Sequence, residues 1–317
     1  MAIIYDGSPD KRLNKTVFGE AMEKIAQADK DVIYLDADLM NSSGTLGFWK
    51  RNPRQAINCG IAEANMMGVA AGLSAGGKKP YVHTFGPFAS RRCYDQVFIS
   101  IAYAGNSVRI FGSDPGVTAA FNGGTHMPFE DMALMRAIPN SIVLDISDSS
   151  MLASIMEQVR DMDGLIYTRF TRKSYSAIYS DDHLFTIGKG EVLRDGTDVT
   201  IIACGLMTSE ALTAADILSK EGTSVRVVDM FTVKPIDREL VIESSRKTGS
   251  VVVAENHNAI GGLGDAVAEV LLEAGVSIKF KKHAVSERFG SVGPQDYLKE
   301  YYGLTASKLV ESVKAVI

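Results

Sequence analysis

The chain has 317 residues, of which 46% are apolar and 22% charged, and its formal net charge is −5. At roughly 150 residues per domain, this length predicts two domains. The 33 basic and 38 acidic residues are too evenly balanced to favour binding to nucleic acid or to an anionic membrane. No apolar run approaches the ~20 residues of a membrane span, and the N-terminal residues do not resemble a signal peptide, so we expect a cytoplasmic protein.

The first half of the chain alternates short apolar runs with helical stretches. The runs predict the strands Val32–Leu35, Pro80–Thr84, Val108–Phe111, Ile142–Asp145 and Leu165–Phe170. The stretches between and around them predict the helices Lys15–Gln27, Ala62–Ala75, Cys93–Tyr103, Glu130–Arg136 and Ser150–Met162. This alternation is typical of a parallel sheet that helices cover on both faces.

The same alternation restarts in the second half, after the polar and aromatic stretch Lys173–Gly190. Its predicted strands are Val199–Ala203, Ser224–Asp229, Ser250–Ala254 and Ser277–Ala284. Its predicted helices are Ser209–Lys220, Arg238–Thr248, Leu263–Ala274 and Ala306–Val316. We therefore predict an α/β protein with two parallel-sheet domains, residues 1–175 and a smaller domain of residues 191–317, joined by a linker of residues 176–190.

Glu63 is unusual because it lies among small and apolar residues at the predicted start of a helix. A buried carboxylate is costly unless it is paired or protonated. Glu63 is therefore either a first-turn residue that the helix dipole stabilises or a carboxyl group held in a dry pocket to exchange a proton.

Two further segments follow predicted strands. Phe85 and Phe88 flank a Gly-Pro pair, which does not suit a strand interior, so these rings either fill the core or form a platform for a flat ligand. The long polar loop Gly112–Thr125 leads into His126, and long loops in compact α/β domains are usually functional, although a single histidine is more often a structural group than a catalyst. Since no second histidine lies at ligand spacing and the three cysteines are unclustered, we predict no metal site and no disulfide framework.

Arg169 and Arg172 follow another strand and suit either an anionic ligand or surface salt bridges. The segment Gly261–Gly264 looks like a dinucleotide-binding turn, but Val267 stands where the third glycine belongs. Neither a phosphate-binding Walker loop nor a Gly-x-Ser-x-Gly elbow is present, which disfavours hydride transfer and NTP-driven chemistry.

Taken in chain order, these segments resemble the pyrimidine-binding and C-terminal domains of transketolases. The resemblance extends over nearly the whole chain, and its specificity comes from the collinear order of the motifs. The motifs that carry it are Asp36–Leu39 with Ser42 and Ser43, Gly60–Glu63, Thr84–Phe88, Gly123–Pro128, Arg136–Asn140 and Asp229–Asp237.

The resemblance implies thiamine diphosphate as the cofactor. A full transketolase begins with a domain whose Gly-Asp-Gly…Asn motif binds the diphosphate through a divalent metal, and this sequence contains nothing like it. The resemblance therefore implies one subunit of a split transketolase. Its partner would be an N-terminal subunit that binds the diphosphate with Mg²⁺ or Ca²⁺, in an α2β2 assembly that acts on sugar phosphates.

The family's essential glutamate, which hydrogen-bonds to N1′ of the cofactor's aminopyrimidine and promotes deprotonation of the thiazolium ring, corresponds to Glu63. His126 would contact the sugar oxygens and assist proton transfer, as a second catalytic group. The remaining positions that the resemblance implies are cofactor contacts at Asp38, Ile61, Phe85 and Phe88, and substrate contacts at Ser42, Asp114, Asn122, Arg169 and Arg172.

Three positions depart from the family pattern. Asp114 stands where transketolases usually have a substrate-contacting histidine, Asn122 replaces an aspartate that recognises a hydroxyl, and Arg91 replaces an aromatic residue. A new carboxylate and a neutral amide change which hydroxyls or which anion the site accepts, so a specialised ketose phosphate or another acidic sugar is possible. Two other functions remain open, a β-subunit of a 2-oxo acid dehydrogenase and a non-catalytic binding or scaffold subunit.

Overall fold

A computed structural model describes residues 3–317 of the chain. Within these residues the strands form two separate sheets, one with seven strands and one with five. Both sheets are mostly parallel and are covered by helices, which confirms the predicted fold class of two α/β domains. No helix in this part of the chain is long and apolar enough to cross a membrane.

The seven-stranded sheet has the order β10-β5-β6-β4-β3-β1-β2. Its strands are β1 (Val32–Asp36), β2 (Ala56–Asn58), β3 (Lys79–Phe85), β4 (Val108–Ser113), β5 (Ile142–Asp145), β6 (Leu165–Phe170) and β10 (Thr232–Lys234). All neighbours pair in parallel except β10, which runs antiparallel to β5. Strands β1, β4 and β6 are buried along their whole length, as expected for a sheet with two covered faces.

The five-stranded sheet has the order β12-β11-β8-β9-β7. Its strands are β7 (Glu191–Arg194), β8 (Val199–Ala203), β9 (Val225–Asp229), β11 (Ser250–Asn258) and β12 (Lys279–Val285). Only β7 is antiparallel to its neighbour within this sheet.

The α-helices pack around these sheets. They are α1 (Asn14–Ala28), α2 (Met40–Ser43), α3 (Leu46–Arg51), α4 (Glu63–Ala75), α5 (Gly86–Ala89), α6 (Asp131–Arg136), α7 (Ser149–Gln158), α8 (Leu206–Lys220), α9 (Arg238–Thr248), α10 (Leu263–Glu273), α11 (Gln295–Tyr302) and α12 (Ala306–Lys314). The predicted helix Cys93–Tyr103 is a π-helix over Gln96–Tyr103, and the predicted helix Ser150–Met162 passes into a 3-10 turn after Gln158.

The first sheet includes one strand from the second half of the chain, which the sequence did not predict. Strand β10 lies at the edge of that sheet beside β5, and the Asp145 N–H donates to the Phe231 carbonyl just before β10. Three residues are too short for a recognisable strand pattern, and only the antiparallel contact with β5 defines them as a strand. The two halves are therefore joined through the sheet as well as through the linker.

Strand register places the candidate site. Phe85 at the end of β3 pairs with Ser113 at the end of β4, and Ser113 pairs with Phe170 at the end of β6. The residues that follow these three strands therefore lie together at the carboxyl edge of the sheet, where ligands of parallel sheets bind.

Candidate active site

Glu63 is the first residue of α4, which follows a turn at Gly60 with a φ of +70°. Its side chain is only 3% exposed. The Arg92 guanidinium donates to Glu63 Oε1 at 2.7 Å, and within residues 3–317 no other group hydrogen-bonds to this carboxylate. Oε2 is therefore available to a ligand. Because Glu63 lies at a helix N-terminus, the helix dipole also stabilises its charge. Glu63 can therefore stabilise the start of α4 and still offer Oε2 for proton exchange.

Phe85 and Phe88 form an aromatic wall that Arg92 links to Glu63. Their rings meet edge to face at 6.2 Å, and the Arg92 guanidinium lies 3.5 Å from the centre of the Phe88 ring. Between the two rings, a Cβ on Gly86 would approach Pro128 Cγ to 2.8 Å. Only glycine permits this close packing, which holds the aromatic turn against the segment that follows His126.

His126 lies against this aromatic wall. Its ring packs edge to face on Phe85 at 5.4 Å and on Phe88 at 4.9 Å, and its Nδ1 lies 2.9 Å from Thr125 Oγ1. Burial, and then the positive charges of Arg92, Arg172 and Arg91, lower the pKa of His126 below its usual value. A neutral imidazole at neutral pH can accept a proton from a substrate hydroxyl.

Arg91 fixes the loop that carries His126. Its Nη1 donates to Glu130 Oε1 at 2.6 Å, and its Nη2 donates to the Thr125 carbonyl at 3.0 Å. The two contacts lie on either side of His126 in the sequence. The sequence singled out Arg91 only as a departure from the family pattern, because its partners lie more than thirty residues further along the chain.

Asp114 and Arg172 form a further ion pair at the same edge of the sheet. Asp114 Oδ2 accepts from Arg172 Nε at 2.6 Å and lies 2.5 Å from Nη2, while Oδ1 accepts from the Arg172 backbone N–H at 2.9 Å. The Arg172 guanidinium also lies 4.6 Å from the centre of the Phe85 ring. Asp114 has a φ of +55°, an uncommon conformation for a residue other than glycine.

The other predicted site residues lie outside this cluster of side-chain contacts. Asp38 is exposed, has a φ of +64° and accepts from Asn58 Nδ2 at 2.8 Å. Ser42 lies half-buried in α2, while Ile61 and Asn122 are exposed. No hydrogen bond in the described part of the chain joins these four residues to Glu63, His126 or Arg172.

Arg169 does not fit the substrate contact that the sequence suggested. Its side chain is 0% exposed, and its guanidinium pairs with Asp131 and Asp145, each at 2.9 Å. Its third donor reaches the Asn256 carbonyl, also at 2.9 Å. Because these partners occupy the guanidinium and exclude solvent, Arg169 connects β5, β6, α6 and β11 and is not among the residues we propose to contact substrate. Arg169 is therefore neither a ligand contact nor part of a surface salt bridge, the two roles that the sequence suggested, but the centre of a buried ion-pair cluster.

We expect Arg169→Met to reduce the free energy of unfolding by about 3–5 kcal/mol, because it leaves two buried carboxylates without a cation. The matched control is Arg238→Met, which removes an exposed arginine that pairs with Glu273 at 2.9 Å and should change stability by less than about 1 kcal/mol. Urea denaturation of both variants measures the difference. If both variants lost the same small amount of stability, Arg169 would not stabilise the packing of β5, β6, α6 and β11.

The described residues contain no group of three or more His, Cys, Asp or Glu side chains arranged to hold a metal ion. The cluster is instead built from carboxylate–arginine pairs, two aromatic rings and one imidazole. Such a site can stack a flat ring, exchange a proton with it and bind an anion next to a histidine.

Comparison with known proteins agrees with this fold. The family "Transketolase, pyrimidine binding domain" matches residues 11–177, and the family "Transketolase, C-terminal domain" matches residues 188–309. The chain therefore belongs to the transketolase family.

Among curated proteins, the chain is 47% identical over 302 residues to the "6-deoxy-6-sulfo-D-fructose transketolase subunit SqwH" of Clostridium sp. (strain MSTE9), covering 95% of this chain and 94% of that protein. It is 37% identical to a "Putative transketolase C-terminal section" of Methanocaldococcus jannaschii, covering 93% of each. It is also 32% identical to the human transketolase, of which it spans only 49%.

A solved structure described as "Split gene transketolase, inactive beta4 tetramer" superposes with a TM-score of 0.88 at 42% identity, covering 96% of this chain and 97% of that one. The transketolase of Campylobacter jejuni shares the fold with a TM-score of 0.82 at 19% identity, over 98% of this chain and 47% of that one.

Proposed function

We propose that this chain is one subunit of a thiamine-diphosphate-dependent transketolase, which moves a two-carbon ketol unit from an acidic ketose to an aldose phosphate. The observation that carries the proposal is the buried Glu63 side chain, which Arg92 links to Phe88, and the Phe88 ring in turn packs on His126. Membership of the transketolase family supports the same reaction class.

The residues fit the pyrimidine half of the cofactor. Glu63 Oε2 has no hydrogen-bond partner within residues 3–317. The planar guanidinium of Arg92, which donates to Glu63 Oε1, lies over the Phe88 ring, so this ring can stack on a flat group that also reaches Glu63. Glu63 would hydrogen-bond to the pyrimidine ring and Phe88 would stack on it, with Phe85 alongside. When bound, the cofactor supplies a nucleophilic carbon for addition to the ketose carbonyl.

His126 would act on the sugar. Its lowered pKa keeps it neutral near pH 7, and its edge-to-face packing on both phenylalanines fixes the ring against them. Arg91 holds the His126 loop from outside. We assign His126 the role of hydrogen-bonding the sugar oxygens and exchanging a proton with them.

A partner subunit is part of the proposal. The described residues offer no metal-ligating cluster for the diphosphate's Mg²⁺ or Ca²⁺, so the partner would supply the metal and most diphosphate contacts. Two of the relatives are described as a transketolase subunit and a transketolase C-terminal section. An α2β2 assembly, with two copies of each subunit, would complete two sites.

The anion of the substrate would bind at Arg172, with Ser42 and the exposed Asn122 as further substrate contacts, while Asp38 and Ile61 would contact the cofactor. Asp114 already engages two of the Arg172 nitrogens, so the pair as a whole carries no net positive charge. A phosphate carries about −1.5 to −2 charges at neutral pH, whereas a sulfonate carries one. This favours a ketose with a terminal sulfonate as donor, such as the 6-deoxy-6-sulfofructose in the name of the Clostridium relative.

Asp114→Asn tests this specificity. Removing the carboxylate leaves Arg172 without its anionic partner and removes the repulsion between Asp114 and the second phosphate charge. We take this difference to be on the order of 1.4 kcal/mol, which corresponds to a factor of about ten. We expect the ratio of kcat/KM for 6-deoxy-6-sulfofructose over fructose 6-phosphate to fall about tenfold. The control Asp216→Asn breaks a remote arginine pair of 2.5 Å and should leave the ratio unchanged. An unchanged ratio in Asp114→Asn would contradict the charge argument.

The reaction itself is tested by reconstitution. The chain is purified alone and with its partner subunit, and each preparation is assayed with thiamine diphosphate, Mg²⁺, the sulfonated or phosphorylated ketose and an aldose phosphate. We expect ketose formation only from the complex. Oxidative decarboxylation of a 2-oxo acid by the complex would instead identify a 2-oxo acid dehydrogenase subunit, and cofactor-free assembly without turnover would identify a scaffold subunit.

A further inference from the structure

The guanidinium of Arg92 contacts both groups that the proposed function gives to the cofactor's pyrimidine ring. It donates to Glu63 Oε1 at 2.7 Å and lies flat enough over Phe88 to bring its central carbon 3.5 Å from the ring centre. No other hydrogen bond of the Arg92 side chain occurs within residues 3–317. The side chain is 43% exposed, so one side of it faces solvent.

A guanidinium resembles an aminopyrimidine in the features that matter at this site. Both are planar, both carry N–H donors at their edge, and both stack on an aromatic face. The free chain needs such a group because the Glu63 side chain is only 3% exposed, and a buried carboxylate is costly without a positive or hydrogen-bonding partner. Arg92 meets this need when no ligand is present.

We propose that Arg92 is a positioning residue that occupies the pyrimidine site in the free chain and exchanges places with the cofactor. This inference rests on the proposed function. In the free chain, Arg92 orients the Glu63 carboxylate and covers Phe88, and on binding it swings into solvent and yields both contacts to the pyrimidine. The half-exposed side chain can make this movement without displacing a helix or strand.

The exchange has an energetic consequence. The cofactor can bind only those molecules in which Arg92 has left the site, so its apparent affinity is the intrinsic affinity multiplied by the fraction of such molecules. Because an ion pair is part of the occupied state, higher ionic strength should weaken it and raise the fraction that is ready to bind. Arg92 therefore determines how readily the cofactor binds, while Glu63 and Phe88 hold its pyrimidine ring once it is bound.

The test is the binding of thiamine diphosphate, with Mg²⁺, to the complex of this chain with its partner subunit, measured by calorimetry. We expect Arg92→Met to bind the cofactor about fivefold more tightly than wild type at low salt, and this difference to shrink as salt is raised. Arg92→Lys keeps the charge but lacks the planar group, so it should fall between the two. The cofactor-free Arg92→Met complex should melt at a lower temperature than wild type, and the cofactor should restore it.

Arg51→Met is the matched control, since it removes the same charge from an exposed pair with Glu23 and should leave cofactor affinity unchanged. Weaker binding by Arg92→Met would show that Arg92 remains in the loaded site as a direct cofactor ligand, and equal binding would show that it does not compete. Either result overturns the exchange. If Arg92→Met does not fold, the affinity of Arg92→Lys decides between the same outcomes.

The same experiment separates this inference from the function on which it rests. A wild-type complex that binds no thiamine diphosphate refutes the proposed function and the exchange together. A wild-type complex that binds the cofactor, with no tighter binding by either Arg92 variant, refutes the exchange alone.

Discussion

Glu63→Gln is expected to lower kcat of the reconstituted enzyme by at least about 10³-fold while the chain remains folded. The amide has the same size and can still receive the Arg92 hydrogen bond at its oxygen, so the local packing is retained. It cannot exchange a proton with the pyrimidine ring, and a positioned acid–base group contributes about 10²–10⁴-fold to rate. Steady-state ketol transfer by the complex, at saturating cofactor, measures the effect.

The control is Glu20→Gln, an exposed glutamate on α1 that should leave turnover unchanged. Circular dichroism and the melting temperature of Glu63→Gln should stay near those of wild type, which separates lost chemistry from lost structure. Turnover within threefold of wild type would refute the role of Glu63.

His126→Ala is expected to lower kcat/KM by about 10²-fold or more, because it removes both a hydrogen-bonding group and a proton acceptor at the sugar oxygens. The effect should show a pH signature. Because burial and three arginines lower the pKa of His126, wild-type activity that depends on the neutral imidazole should persist below pH 6.5. The acidic limb of the kcat/KM profile should therefore lie below the usual histidine range.

Thr125→Ala provides a graded comparison, since it removes only the hydroxyl that lies 2.9 Å from His126 Nδ1. We expect a loss of a few fold, well short of the loss in His126→Ala. An acidic limb that is unchanged in His126→Ala would show that another group carries the proton transfer.

The sequence predicted the regular part of the fold because each fully buried parallel strand is mostly apolar, although β4 contains Arg109 and β6 contains Arg169. Strands β1, β4 and β6 are of this kind, and all were predicted to within two residues at each end. Strand β10 was missed because its three residues are defined by a partner, β5, about ninety residues earlier. Its short polar–apolar pattern carries no signal of its own.

In the candidate site, too, some residues could be recognised from the local sequence and others only from their contacts in the fold. Glu63 was noticeable in the sequence because a carboxylate in an apolar segment needs an explanation, and Phe85, Phe88 and His126 because they follow strands. Arg92 was not noticed, because an arginine in a polar stretch is ordinary until its contacts with Glu63 and Phe88 are seen. These contacts depend on the packing of α4 against the segment after β3, which local sequence does not encode.

Arg169 was misinterpreted for a related reason. Arg169 lies near the end of β6, and a residue at a strand end is often accessible to a ligand. Whether it is accessible depends on which other segments cover that end of the strand. Here the cover comes from three distant segments that contribute Asp131, Asp145 and Asn256. Arg172, three residues later, lies beyond this cover and is 21% exposed.

The central claim is that this chain takes part in the transfer of a two-carbon ketol unit. The most direct test follows carbon, using a donor ketose labelled with ¹³C at C1 and C2, an unlabelled aldose phosphate and the complex of the chain with its partner subunit. Our account predicts that both labels appear, still bonded to each other, at C1 and C2 of the new ketose, and only when thiamine diphosphate is present. Label in carbon dioxide or in an acyl product, or no transfer of the labelled pair, would contradict it.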